Sequence, residues 1–106
     1  MPIEFPGNEP DYNAQNLTLR FAAIVDGARV PCAISVEALE DHFGADRGSL
    51  EFWLRAFAAG RAMIEAVARQ HLALSPGRPV LLKSGHFPPG SALTGYRKTP
   101  IYARPV

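Results

Sequence analysis

The Asp26-Gly27 dipeptide, set between two apolar-rich runs, constrains this chain more than any other feature. A two-residue type I′ turn needs positive φ at both central positions, and Asp-Gly is among the few pairs that supply it. The stretch from Leu17 to Gly44, LTLRFAAIVDGARVPCAISVEALEDHFG, therefore reads as strand, turn, strand and short helix. If Asp26 and Gly27 form the loop, Val25 faces Ala28, and the pairing continues as Ala23 opposite Val30, Phe21 opposite Cys32 and Leu19 opposite Ile34. Side chains alternate along a strand, so all of these turn to one face. The other face takes Thr18, Arg20, Ala22 and Ile24 against Arg29, Pro31 and Ala33, a mixed surface expected to be partly wet.

The same register places Pro31 at a non-hydrogen-bonded pair, with its missing N–H directed away from the first strand. The second strand is therefore predicted to be a sheet edge, any further strand pairing on the first. Ser35 is placed as the N-cap of a short helix over 36–43, with Gly44 as its terminator. Ser49 is placed to cap a long helix running to about Leu72. At about 100° per residue, the large apolar side chains of that helix sweep an arc of about 200°. An arc this wide predicts two apolar neighbours: the sheet and the first helix, or the sheet and another subunit. Glu51-Arg55 and Glu65-Arg69 are spaced for i,i+4 ion pairs. Gly60 lies within the arc, where glycine costs up to about 1 kcal/mol relative to alanine; the close approach of another backbone would explain it. Short strands are predicted over 2–5 and 80–83, the latter beside the first hairpin strand. Asn8 to Asn16 is turn-rich, with Tyr12 the large side chain that would pin it.

These elements predict an α+β fold: a small antiparallel sheet built on the hairpin, with one short and one long helix packed on one face. Residues 1–84 form the expected domain. Pro88-Pro89-Gly90, Gly95, Pro100 and Pro105 leave residues 85–106 without periodicity, predicting an extended or disordered basic tail. At 106 residues with 47% apolar content, the chain is long enough for one modest core. It has no run near the roughly 18 apolar residues of a membrane span, and MPIEFPGNEP lacks the basic and apolar segments of a secretion signal. A single cysteine cannot form an internal disulfide, which makes the cytoplasm the expected setting. The formal charge of +1 hides an asymmetry: ten acids against five bases up to Glu65, then six bases and no acid. Such a split points to an acidic partner for the C-terminal part, or to a tail folded against its own acidic body.

Ile3-x-Phe5-Pro6, Tyr12, the hairpin from Phe21 to Gly27, and Cys32-Ala33-Ile34-Ser35 leading into Ala38-Leu39 form a pattern completed by Phe57, Arg61, Ile64-Glu65 and Ala68. Together these resemble the small bacterial family known as domain of unknown function 1488, over roughly residues 1 to 84. The resemblance implies a compact α+β domain with an antiparallel sheet and two helices, and it brings no activity. The tail departs from the family pattern.

Cys32 faces inward opposite Phe21 without a basic neighbour in the hairpin, so it reads as a core residue and not a reactive thiol. His42, His71 and His86 lack short ligand spacing, and no metal or cofactor is expected. Glu37, Glu40 and Asp41 read as a solvated helix face, the alternative being acid/base work by a buried member. Arg61 lies at the margin of the apolar arc with Glu65 one turn on; it is either a structural arginine paired to Glu65 or a backbone carbonyl, or a contact for an anion or partner. Phosphate loops and nucleophile elbows are absent from the sequence. The function expected is a non-catalytic protein-interaction or accessory domain, its partner a second copy (a homodimer) or another protein, with Arg61, Glu65, Arg97, Lys98 and Arg104 as candidate interaction residues. The alternatives are a nucleic-acid-binding regulator using the basic tail, where Phe87, Tyr96 and Tyr102 are interleaved with bases, and an unrecognised small enzyme.

Overall fold

The computed structural model of the chain describes residues 2–43 and 49–87. Its hairpin strands, β3 (Thr18–Val25) and β4 (Ala28–Ser35), pair in the register set by the turn, with Phe21 opposite Cys32 and Leu19 opposite Ile34. Asp26 and Gly27 both take positive φ, 51° and 84°, as a type I′ loop requires. One face of the hairpin is buried from Leu19 to Val25 and from Val30 to Ile34, while Arg20, Arg29 and Pro31 on the other face are exposed.

β1 (Ile3–Glu4) and β2 (Asp11–Asn13) both pair antiparallel with β3. The β2 strand was not expected; Tyr12 anchors it by facing Trp53 with ring centroids 5.4 Å apart. β5 (Val80–Leu82) pairs parallel with β4, so the sheet is mixed and β4 is not its edge. Pro31 does not make β4 an edge, for a local reason. The parallel ladder begins at Cys32, one residue past Pro31, so the missing N–H never faces a rung. A parallel neighbour also needs a long crossover, which the two intervening helices supply.

α1 (Val36–His42) starts at Ser35, whose hydroxyl accepts the Ala38 N–H at 3.1 Å. Its expected terminator, Gly44, lies outside the described residues. α2 (Leu50–Leu74) runs two residues beyond expectation and packs on both the sheet and α1, with Leu50 at its start exposed. Phe57 meets Phe21 of the sheet edge-on at 5.4 Å. On the flank towards α1, Gly60 lies against the ring of Phe43, where a Cβ would overlap Cδ1 and Cε1; the close approach is to a side chain and not to a backbone. Trp53 Nε1 donates to Glu40 Oε2 at 2.9 Å across the same helix pair. Glu51 and Arg55 pair at 2.6 Å, but Glu65 turns back to Arg61, and Arg69 instead donates to the Ile3 carbonyl at 3.4 Å. Past β5, Ser84–His86 form a short 3₁₀ turn and Phe87 is buried against Phe43, so the start of the expected tail continues the fold, with Phe87 in the core. Residues 88–106, the remainder of that tail, lie outside the described residues.

Candidate binding cleft on the open face of the sheet

The helices cover one face of the sheet and leave the other open. Its centre is shaped by a mismatch in the N-terminal segment. β1 reaches β3 at the Glu4–Ile24 rung, and β2 reaches it at Asp11–Arg20. Four steps along β3 are thus matched by seven steps of the N-terminal segment, and the three residues in excess make it bulge out between Phe5 and Pro10. Pro6 and Pro10 suit this bulge because neither has an N–H to place on the ladder. Gly7 turns it at φ 86°.

The bulge leaves Ala22 without a partner. In β3 the odd-numbered residues bond to β4, because Val25 and Ala28 close the turn and bonded pairs alternate. The even-numbered residues face the other way. Thr18, Arg20 and Ile24 meet β2 or β1, and the Asp26 N–H donates to the Pro2 carbonyl at 3.1 Å. Ala22 alone in this series pairs with nothing among the described residues, and its N–H and C=O point into the gap.

A cleft of about 580 Å³ occupies this gap and the sheet surface beside it. The bulge from Pro6 to Glu9 forms one wall, and Ala22 and Pro31 form a small apolar floor. Arg20 and Arg29 stand on the open face two rungs to either side of the Ala22–Pro31 pair, the next positions on that face, and neither makes an ion pair among the described residues. Glu9 and Asp11 line the bulge side. Arg61 reaches the cleft from α2, held by Glu65 at 2.8 Å and stacked on the Phe57 ring at 5.0 Å. Both readings of Arg61 therefore meet in one place: it is tied down structurally, and its planar head borders a polar cavity. Glu65 acts as the tether. Arg97, Lys98 and Arg104 lie outside the described residues.

The remaining chemistry-bearing residues are engaged in packing. Cys32 is 2% exposed, and burial pushes its thiol up to about 11. Glu40 serves Trp53, and Asp41 accepts the Ser84 hydroxyl at 2.7 Å. His42 Nε2 lies 2.8 Å from the Ser84 carbonyl. His71 and His86 are brought together edge-on at 4.8 Å, a proximity that sequence spacing could not reveal. Each has one ring nitrogen occupied, by the Val67 carbonyl and the Lys83 N–H respectively. Burial lowers the pKa of His86, with His71 and Lys83 adding to the effect. Among the described residues no group of three or more His, Cys, Asp or Glu is placed to hold a metal, and no helix is long and apolar enough to cross a membrane.

Arg20, Arg29, Glu9 and Asp11 did not stand out as site residues in the sequence. The hairpin register does place Arg20 and Arg29 on the wet face. The bulge that gathers the others depends on how β2 pairs, which no local pattern specifies.

Fold and cleft together define a small α+β domain with a two-helix layer on one side and a polar notch in the open side of a mixed sheet. The chain belongs to the family described as protein of unknown function DUF1488, which it matches over residues 3–82. It is similar in fold to the crystal structure of a DUF1488-family protein of unknown function from Shewanella loihica PV-4. The TM-score is 0.66 at 21% identity, covering 76% of this chain and 92% of that one. No match is found among curated proteins.

Proposed function

We propose that this protein is a non-catalytic interaction domain, working in the cytoplasm, that holds a partner protein on the open face of its sheet. The observation that supports this reading is the unfilled rung at Ala22. A main-chain donor and acceptor stand there beside two arginines that have no ion pair among the described residues. A partner group that satisfies the rung and pairs with the arginines gains charge-assisted hydrogen bonds in a partly enclosed space. The lining residues are suited to recognition. Arginines, carboxylates and Asn8 surround the cleft with alanine, proline, Gly7 and Phe21, and among the described residues no serine, threonine, cysteine, lysine or histidine borders it. Most of the apolar arc of α2 packs on the sheet and α1, leaving Leu50 exposed at its start, and the polar notch in the sheet favours a different protein as the partner over a second copy.

The test compares the tagged full chain with its Arg20→Glu/Arg29→Glu variant as bait. Both positions are exposed, so the variant keeps its circular dichroism spectrum and melting temperature. A partner identified with the native bait, and reproduced with purified protein, is lost with the variant. Equal binding by both baits, or no specific partner for either, contradicts the proposal.

A further inference from the structure

We infer that the cleft over Ala22 receives the C-terminal residue of a partner chain, with its carboxylate held by the Ala22 N–H and by Arg20 and Arg29. The inference rests on the interaction reading above and assigns the chemistry of what is bound.

The shape of the vacancy carries the first step. The Glu4–Ile24 and Asp11–Arg20 rungs close it at both ends. A partner strand therefore cannot run through it in the plane of the sheet, as it would along a free edge. A group arriving end-on at the notch fits. That group faces one N–H and one C=O side by side, the pair that a single antiparallel residue would match.

The last residue of a chain carries the complement. Its N–H donates to the Ala22 carbonyl, and its carboxylate accepts the Ala22 N–H. A carboxylate offers about four lone-pair sites, so a single main-chain donor leaves room for guanidinium groups. Arg20, two residues along β3 from Ala22, and Arg29, diagonally across on β4, line the same cleft, and neither is engaged by an acid among the described residues. An internal Asp or Glu side chain could reach the same arginines. It has no N–H beside its carboxylate, however, and would leave the Ala22 carbonyl unmatched. Glu9 on the bulge wall and Asp11 in β2, opposite Arg20, set a further limit. They repel a second negative charge, which disfavours polyphosphates and acidic residues next to the terminus. The Ala22 and Pro31 floor suits a small apolar final side chain.

The experiment is an NMR titration of the ¹⁵N-labelled full chain with N-acetyl-trialanine bearing a free carboxylate, the same peptide as its C-terminal amide, and acetate. The free acid is expected to shift the Ala22 amide resonance, and the amide-capped peptide to bind at least about tenfold more weakly. R20Q and R29Q each weaken binding of the free acid severalfold without altering the rest of the spectrum. The inference is overturned if capped and free peptides bind alike, if acetate binds as tightly as the free tripeptide, or if Ala22 does not shift at about 10 mM peptide. Its failure can be told from failure of the underlying reading. A protein partner that needs Arg20 and Arg29 but tolerates amidation of its own C-terminus removes the terminal carboxylate and leaves the interaction site standing. If no partner depends on those arginines, both fall.

Discussion

Two buried positions carry opposite lessons about single residues. At Cys32, alternation along the strand was enough to assign a core role, and the side chain is 2% exposed with its thiol pushed up to about 11 from an ordinary 9.0. The neutral thiol is thus favoured by the fold. Its contribution, about 2–3 kcal/mol, is complete below pH 9 and is lost as pH rises through the folded value near 11. Denaturant melts between pH 8 and 11 should show that alkaline loss in the native chain and a weaker one in Cys32→Ala. Native Cys32 should also resist alkylation at pH 8. At Gly60 the sequence signalled close contact but could not identify the neighbour. Helix propensity alone would make Gly60→Ala stabilising by about 1 kcal/mol. The added methyl would overlap Phe43, whose ring is itself packed edge-on against Phe87 at 5.2 Å. Overpacking should therefore win, with a net loss of about 1–3 kcal/mol in urea unfolding.

Elements read best where their signals were local. The turn at Asp26-Gly27 fixed the register of both hairpin strands because φ requirements and face alternation act within a few residues. The Ser35 cap was legible for the same reason, and Ser35→Ala is expected to cost about 1 kcal/mol in thermal or denaturant unfolding. The elements that escaped depend on distant partners. Tyr12 lies on a strand only because β3 offers a free edge there and Trp53 covers its ring. β5 joins β4 because the helices carry the chain back in parallel, which Pro31 could not announce. The bulge between β1 and β2 is the most consequential of these, since it creates the cleft. Gly7 has open space around a hypothetical Cβ, so Gly7→Ala tests backbone strain alone. A cost of about 1 kcal/mol, with local shifts at Ala22 and Pro6 in NMR spectra, is expected.

For the molecule as a whole, the asymmetry between its two sheet faces organises both stability and function. The covered face gathers the core, which continues past the family-matched region to Phe87. Phe87 is 5% exposed and closes the core beside His42 and Phe43, so Phe87→Ala in the full chain should cost about 3 kcal/mol. The α+β class and the buried face were legible from periodicity, turns and caps. The cleft was not, because it arises from two strands meeting β3 out of step. Amide hydrogen exchange along β3 tests that origin most directly. With the rung at Ala22 unfilled, the Ala22 amide should exchange rapidly while Arg20 and Ile24, whose rungs are filled, stay protected along with their odd-numbered neighbours. Protection of Ala22 equal to that of Arg20 and Ile24 would mean that the ladder is continuous, and the site built on the vacancy would not exist.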